Sequence, residues 1–376
     1  MKLNKPLIKF TVLCLIVLFI FLLNDKKDGS DVVLIGGAYM LTGPTSLVGE
    51  HQINATQLAV EEINRTGGIN GKKFDVIAED TQFNAKTALS AYHALKNRGV
   101  EFIVVGGSPV VASIHPEVIK NEEFMIVTDA TLPSYFDNKT NTCRLALTAK
   151  DFGPGLSQIL RKRGHTKVVT LYPDNEAGRG FYTEFEKDFT NNGGEIVASE
   201  FYIATGASDY RTSLLKIKSK QSNVDALVYQ NITNTGEIML KQMKEMGIEI
   251  PIVTDYYTIN NPTIKDLMMF NNAEFVDYDY TKKDMPSDNT NARSFKELYR
   301  SRFGTDPSYF AASTYDAIIL IAEGIKNVGH DPIKVGDYIS NLKDYHGVTG
   351  LLSFNNDCEV KREMKFSKIT NGLIVR

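Results

Sequence analysis

The feature that most limits what this chain can fold into is a regular alternation of short apolar runs with amphipathic stretches of helical length. It starts at Val32 and continues through most of the chain, and the runs are rich in β-branched residues. The alternation is typical of βαβ units and predicts parallel sheets covered by helices on both faces. The predicted strands are residues 32–36, 73–79, 102–105, 124–128, 167–172, 195–201, 226–230 and 250–254. The predicted helices are residues 49–66, 84–98, 152–163, 178–191, 210–219, 235–246, 292–303 and 311–326.

Length and charge set the number of domains and exclude one class of partner. The chain has 376 residues, 43% of them apolar and 23% charged, which is enough for two cores. Lys and Arg total 42 against 45 Asp and Glu, so the net charge of -3 creates no general field for a polyanion. We therefore expect two domains and no nucleic acid partner.

Two segments outside the alternation also carry structural information. Residues 271–290 are rich in Asp, Asn, Tyr and Lys and lack helical periodicity, so we interpret them as a connection that returns the chain between domains. Residues 348–354 and 363–369 flank the turn-forming Asn355, Asn356 and Asp357. This arrangement predicts a β-ribbon that closes the fold.

The N-terminal segment is typical of an exported protein. Three lysines precede the apolar run 10–23, which is shorter than the roughly 20 residues of a membrane span and matches the apolar core of a signal peptide. No small-x-small cleavage site follows, so residues 1–30 are interpreted either as a cleaved signal peptide or as an uncleaved membrane anchor. Cys14 does not fit a lipidation site, because Leu13 stands where a small residue is expected. We expect a periplasmic or extracytoplasmic protein, with attachment to the cytoplasmic membrane if the segment is retained.

Two cysteines remain after this segment, Cys143 and Cys358. Their spacing excludes a CxxC metal or redox motif. They can pair after export, but the sequence does not place them within the distance that a disulfide demands, and we favour two separate half-buried thiols.

A series of ordered motifs then identifies a family. They lie at residues 41–44 (Leu-Thr-Gly-Pro), 59–64 (Ala-Val-Glu-Glu-Ile-Asn), 67–72 (Gly-Gly-Ile-Asn-Gly-Lys), 79–81 (Glu-Asp-Thr), 105–108 (Val-Gly-Gly-Ser), 129–133 (Asp-Ala-Thr-Leu-Pro), 193–194 (Gly-Gly) and 315–317 (Tyr-Asp-Ala). With these motifs the chain, from Val32 to nearly its end, resembles the type I periplasmic binding-protein family, which contains leucine/isoleucine/valine-binding and amide-binding proteins.

The resemblance implies a clamshell of two similar three-layer α/β lobes, each with a parallel sheet, joined by a three-strand hinge. Residues 31–147 with 278–361 are expected to form the first lobe, and residues 148–277 with 362–376 the second. A ligand would be held in the cleft between them, and the lobes would close on it. The alternation of strands and helices leads to a compatible picture, because loops at the carboxyl ends of parallel strands line a crevice.

In the first lobe, four residues at strand ends are candidate ligand contacts. An amino acid needs hydroxyls and N–H groups for its carboxylate and an acidic or carbonyl group for its ammonium. The resemblance places Ser108 at the carboxylate, although a turn serine that caps the next helix is an alternative. Ala130 and Thr131 match the small residue and the hydroxyl of the family. Asp129 departs from the family's small residue, so it either favours a ligand with an additional cation or donor, or caps the next turn.

In the second lobe, the expected aromatic residue before Gly178 is replaced by Ala177. Tyr172 and Phe181 are candidate substitutes, although core packing is the alternative that we favour for both. The Arg179 guanidinium can bind a second carboxylate or a phosphate, but we expect this side chain to be exposed to solvent.

Two further loops of the second lobe supply polar groups. Asn231, Thr233 and Asn234 follow the strand predicted at 226–230 and offer uncharged contacts. Asp255 and Tyr256 follow the strand predicted at 250–254, where amino-acid binders of the family place an acidic residue. Asp255 is the preferred partner of the ligand's cation, although Tyr256 can occupy that position because of a one-residue offset.

Neither catalysis nor a cofactor is expected. The six His residues show no metal-ligand spacing, and the chain contains neither a phosphate-binding loop nor a GxGxxG turn. The family resemblance implies a solute-binding protein that captures an amino acid, either a branched-chain one or a related amide, and delivers it to an ABC transporter permease. The alternative is a membrane-tethered receptor component of the same fold that senses the ligand.

Overall fold

The computed structural model describes residues 32–132, 141–204, 207–231, 233, 235–277, 289–362 and 364–375. The predicted signal peptide or anchor, residues 1–30, lies outside these ranges. Within them, no helix combines the length and apolarity needed to cross a membrane.

The secondary structure follows the predicted alternation. The strands are β1 (Val32–Tyr39), β2 (Lys73–Asp80), β3 (Phe102–Val105), β4 (Phe124–Val127), β5 (Thr142–Arg144), β6 (Lys167–Pro173), β7 (Glu195–Tyr202), β8 (Ala226–Tyr229), β9 (Ile252–Asp255), β10 (Glu274–Asp277), β11 (Tyr345–Gly347), β12 (Gly350–Phe354), β13 (Val360–Lys361), β14 (Lys365–Thr370) and β15 (Leu373–Val375). The α-helices are α1 (Ser46–Arg65), α2 (Ala85–Lys96), α3 (Ser108–Lys120), α4 (Ala149–Lys162), α5 (Glu176–Asn191), α6 (Arg211–Lys218), α7 (Gly236–Glu245), α8 (Tyr256–Ile259), α9 (Thr290–Phe303), α10 (Tyr309–Val328) and α11 (Pro332–Ser340). Residues Gln221–Asn223 and Leu267–Phe270 form short 3-10 helices.

The first sheet is parallel and has the order β2-β1-β3-β4-β5. Alternate residues of β3 face opposite sides of it, so Phe102 and Val104 pack with α1 and α10, whereas Ile103 and Val105 pack with α2 and α3. The order reverses between β1 and β3, which opens a crevice at the carboxyl ends of these strands, where doubly wound sheets bind ligands.

The second sheet repeats this plan. Its order is β15-β14-β10-β9-β8-β6-β7, so β7-β6-β8-β9-β10 has the strand order and parallel direction of the first sheet. Helices α4 and α5 pack on one face and α6 and α7 on the other. The prediction of two similar three-layer α/β lobes is confirmed. Their boundaries at residues 147, 277 and 361 stay a prediction.

The predicted C-terminal ribbon is wrong in its pairing. Strand β12 pairs with β11 and β13, whereas β14 pairs with β10 and β15 at the edge of the second sheet. The turn between β12 and β13 does form, because Asn355 Oδ1 accepts the N–H groups of Asp357 and Glu359, each at 2.9 Å. The turn residues were therefore interpreted correctly, but the returning strand has only two residues, too few to stand out in the sequence.

The segment predicted as a connection, residues 271–290, contains strand β10. Phe275, Val276 and Asp277 are fully buried between β9 and β14. The four-residue strand is too short for its periodicity to show among polar neighbours.

Cys143 and Cys358 form a disulfide, so the expectation of two separate half-buried thiols is wrong. Their Cα atoms lie 4.7 Å apart, within the range that a disulfide requires. Strand β5 brings Cys143 to the edge of the first sheet, and there the neighbouring Arg144 donates its N–H to the Cys358 carbonyl at 2.8 Å. A contact across 215 residues of sequence has no local signal.

Aromatic side chains connect the two lobes. Tyr256 lies 5.4 Å, ring to ring, from Tyr309, and Tyr257 lies 6.2 Å from Phe310. The first member of each pair follows β9 of the second sheet, and the other begins α10 of the first lobe. These contacts hold the carboxyl ends of the two sheets toward each other.

Candidate functional site

A cavity of about 40 Å³ lies between the lobes at the carboxyl ends of their strands. Since one water occupies at least roughly 10–15 Å³ by this measure, this conformation has room for about three waters or a group of that size. A larger ligand requires this cavity to widen. The lining residues are Met40, Thr45, Val48, Phe83, Gly107, Ser108, Asp129, Thr131, Ala177, Tyr257 and Phe310.

Three serine and threonine hydroxyl groups border the cavity. Ser108 Oγ accepts the Thr131 N–H at 3.2 Å, and within the described ranges its own proton has no acceptor. Thr45 Oγ1 is buried and has no hydrogen-bond partner among the described residues. Together with the Thr131 hydroxyl, these groups can donate to an oxygen of a ligand.

Asp129 is the charged residue of this lining. Its Oδ1 accepts from the Thr128 hydroxyl at 3.0 Å and lies 3.5 Å from Gln52 Nε2 of α1. Its deep position raises the pKa of Asp129 to about 7, although the Thr128 hydroxyl and the Gly107 N–H act in the opposite direction. The carboxylate is therefore poorly stabilised when it is ionised in the ligand-free protein.

Glycines allow Asp129 to approach the loop after β3. A Cβ atom on Gly106 would overlap Asp129 Oδ1. Gly107 has a φ of 86°, in the region that favours glycine, and places its N–H toward the same carboxyl group. The backbone of Gly106, Gly107 and Ser108 thus forms the surface against which the Asp129 carboxyl group packs.

The rest of the wall is mainly apolar. Met40, Val48 and Phe83 cover one side, and Tyr257 and Phe310 cover the side at the lobe junction. Tyr172 and Phe181 are core residues, which is the interpretation that the sequence favoured over a role as the aromatic wall. The aromatic wall comes from elsewhere in the chain.

Four of the nine predicted site residues lie in the cavity lining: Ser108, Asp129, Thr131 and Ala177. The structure does not bring the other five, Ala130, Asn231, Thr233, Asp255 and Tyr256, into that lining. Ala130 and Tyr256 are fully buried. Arg179 is exposed and pairs with Asp174, as expected for a surface residue.

Asn231 and Thr233 belong to a buried network behind the cavity. The Asn231 amide donates to Tyr202 Oη and to Thr235 Oγ1, each at 3.0 Å, and Thr233 Oγ1 lies 2.9 Å from the same Thr235 oxygen. Their hydrogen bonds are thus made within the second lobe. Asn234 lies outside the described residues.

Asp255 uses its oxygens to begin helix α8. Oδ1 accepts the Thr258 N–H at 3.0 Å, and Oδ2 lies 3.3 Å from the Thr258 hydroxyl. Burial raises the pKa of Asp255 to about 6, against the lowering effect of the Thr258 and Tyr257 N–H groups. The carboxyl group therefore positions the helix that carries Tyr257 into the lining.

Arg144 fixes the segment that carries Asp129 and Thr131. Its side chain is fully buried, and its Nη1 donates to the carbonyl oxygens of Ala130 at 3.3 Å and Leu132 at 2.5 Å. Its Nη2 pairs with Glu359, beside the disulfide. The guanidinium thus connects residues 130–132 to the turn between β12 and β13.

Sequence reasoning missed seven lining residues: Met40, Thr45, Val48, Phe83, Gly107, Tyr257 and Phe310. Signals existed for some of them. Thr45 directly follows the 41–44 motif, Gly107 precedes Ser108, and Tyr257 is one residue beyond the predicted Tyr256. Phe310 had none, because it reaches the cavity from a helix far along the chain.

The comparison with family models agrees with this geometry. Residues 32–372 match the model described as "Periplasmic binding protein", and the chain belongs to this family. The family consists of extracytoplasmic proteins that bind solutes rather than of enzymes.

Individual relatives share this architecture. The leucine-, isoleucine-, valine-, threonine-, and alanine-binding protein of Pseudomonas aeruginosa is 23% identical over 339 residues, 88% of each chain. A Leu/Ile/Val-binding protein of Rhizobium johnstonii is 25% identical over 307 residues, 79% of this chain and 80% of its own. Among solved structures, a branched-chain amino acid transporter substrate binding protein from Streptococcus pneumoniae, in complex with isoleucine, has a TM-score of 0.79 at 25% identity, covering 91% of this chain and 97% of its own. An ABC transporter solute binding protein from Rhodopseudomonas palustris, in complex with 3,4-dihydroxy benzoic acid, has the same TM-score at 20% identity, covering 92% and 95%.

Proposed function

We propose that this protein captures a small polar solute, an amino acid or a related amide, between its lobes and delivers it to an ABC transporter permease. The observation that carries the proposal is the interlobe cavity, which combines hydroxyl donors and a carboxyl group with apolar walls. The polar groups suit the head of such a solute, and Met40, Val48 and Phe310 suit a short apolar side chain. Relatives that bind leucine, isoleucine and valine support the amino-acid class.

Binding is tested by a thermal-shift screen of amino acids, amides, sugars and nucleosides, followed by calorimetry. We expect an amino acid or amide to raise the melting temperature and to bind one to one with a Kd in the micromolar range, about -8 kcal/mol. A response to sugars or nucleosides alone would contradict the proposed ligand class.

The two predicted hydroxyl contacts lead to a quantitative prediction. Ser108→Ala and Thr131→Ala are each expected to weaken binding by about 1–3 kcal/mol, because each leaves a ligand oxygen without a donor. Calorimetry measures the change. Ser90→Ala and Thr183→Ala, two exposed helical positions, serve as matched controls with unchanged affinity. Wild-type affinity in both site variants would remove these hydroxyls from the site.

The N-terminal segment and the permease need separate experiments. Mass spectrometry of the purified cellular protein reports whether residues 1–30 are cleaved or retained as an anchor. Affinity purification with the full chain as bait is expected to recover the subunits of an ABC transporter. Recovery of a signalling protein instead would favour the sensing function.

A further inference from the structure

The cavity lining carries a negative charge, which belongs to a residue of the first lobe. Asp129 is the only charged residue in the lining, and Tyr257 is its only other titratable residue, within the described chain. No Lys, Arg or His of the described ranges forms an ion pair with Asp129. A carboxylate in such a place favours a ligand that brings its own positive charge.

The alternative acidic residue is committed elsewhere. Asp255, which the sequence favoured as the partner of the ligand's cation, holds the Thr258 N–H and hydroxyl and does not line the cavity. Asp255 therefore does not contact a group bound in the cavity. It affects the ligand indirectly, because it positions helix α8 and thereby Tyr257.

The surroundings of Asp129 also suit a cation. Phe83, Tyr257 and Phe310 present aromatic side chains to the cavity, and aromatic faces attract ammonium groups. A ligand carboxylate beside Asp129 would instead place two negative charges together, which is unfavourable at low solvent exposure.

We propose that Asp129 is the specificity-determining residue of the site and binds a positively charged N–H group, so that the ammonium end of an aliphatic amine or amino acid lies against the first lobe. This inference rests on the proposed function and names the charge that the site selects. A carboxylate of the same ligand would then point away from Asp129.

The test compares ligands that share the four-carbon isobutyl skeleton, to which valine adds a carboxylate, and that differ in charge. Isobutylamine carries a cation, valine is zwitterionic, isobutyramide is neutral and isobutyrate is an anion. Calorimetry at pH 8 with the full chain is performed on the wild type, Asp129→Asn, Asp255→Asn and the exposed control Asp75→Asn. Melting temperatures of the ligand-free variants verify that each is folded.

The expected result is a loss of affinity that depends on ligand charge. Asp129→Asn should weaken each ligand with an ammonium group that the wild type binds, isobutylamine or valine, by at least about tenfold and change isobutyramide less than about threefold. Asp255→Asn should change charged and neutral ligands alike, since it acts through helix α8. Asp75→Asn should change neither.

The dependence on pH supplies a second readout. The groups that contact Asp129 are Gln52 of α1, Thr128 at the end of β4 and the Gly107 N–H, and none of them titrates. Protonation of Asp129 below its pKa of about 7 should therefore weaken isobutylamine about tenfold for each pH unit. This slope should be absent in Asp129→Asn.

Other outcomes overturn the inference in distinguishable ways. If isobutyrate binds as tightly as the amine, if only isobutyramide binds, or if Asp129→Asn affects all ligands equally, Asp129 does not select a cation while the solute-binding function stands. If the wild type binds none of the four compounds nor any other amino acid or amide, the proposed function fails and this inference fails with it.

Discussion

Asp129→Asn is expected to make the ligand-free protein more stable at pH 8 and to leave its stability unchanged near pH 4. The pKa of Asp129 rises from 3.8 to about 7 on folding. Stability from the protonated carboxyl group is therefore fully present below pH 4 and is lost as the pH rises toward 7. At 1.36 kcal/mol for each pH unit, the upper limit of this loss is about 4 kcal/mol. Partial exposure of Asp129 to the cavity reduces it, and we expect a difference of about 2 kcal/mol.

Urea unfolding of both proteins between pH 4 and pH 8 measures this difference. Asp255 remains in both, so its own titration cancels in the comparison. The exposed Asp75→Asn is expected to change stability by less than about 0.5 kcal/mol at any pH. An Asp129→Asn protein that is no more stable than the wild type at pH 8 would show that the folded protein accommodates the charge without a ligand.

Arg144→Met is expected to destabilise the protein by about 3–5 kcal/mol and to abolish ligand binding. Met fills much of the volume, but the carbonyl groups of Ala130 and Leu132 lose their donor and Glu359 loses its cation. Thr131 lies between these two carbonyl groups and Asp129 directly precedes Ala130, so we expect both side chains to lose their position in the cavity with the guanidinium. Chemical unfolding and calorimetry with the ligand found by screening measure the two effects.

Arg211→Met is the matched control for this experiment. Arg211 also pairs with carboxylates, those of Asp209 and Glu245, but all three side chains are about half exposed. A surface pair of this kind contributes about 0–1 kcal/mol. If Arg144→Met cost no more than Arg211→Met, the buried guanidinium would not be what fixes residues 130–132.

The fold was predictable wherever local periodicity was strong. Strands such as β3 and β6 are short apolar runs, and both were predicted within a residue or two. Strand β10 and the two-residue β13 were missed because tertiary pairing, rather than local sequence, makes them strands. Helix α3 was not among the predicted helices, since Pro116 lies inside it and weakens the helical pattern.

The site was predictable in the first lobe and less so in the second. Ser108, Asp129 and Thr131 follow strands that end at the crevice, so topology and motif agree on them. In the second lobe, Asp255 and Asn231 also lie at strand ends, but their hydrogen bonds are made within the lobe. Tyr257 lines the cavity instead. The conformation of the loop determines which polar residue at a strand end faces the cavity. Sequence spacing does not determine that conformation.

The disulfide also constrains the order in which this protein matures. Cys358 is made 215 residues after Cys143, so the bond can close only when almost all of the polypeptide has been synthesised and both sulfurs have reached an oxidising environment. Until then, no covalent bond holds Glu359, the partner of Arg144, beside strand β5. The bond thus fastens the turn that carries Glu359 beside Arg144 only late in the maturation of the chain.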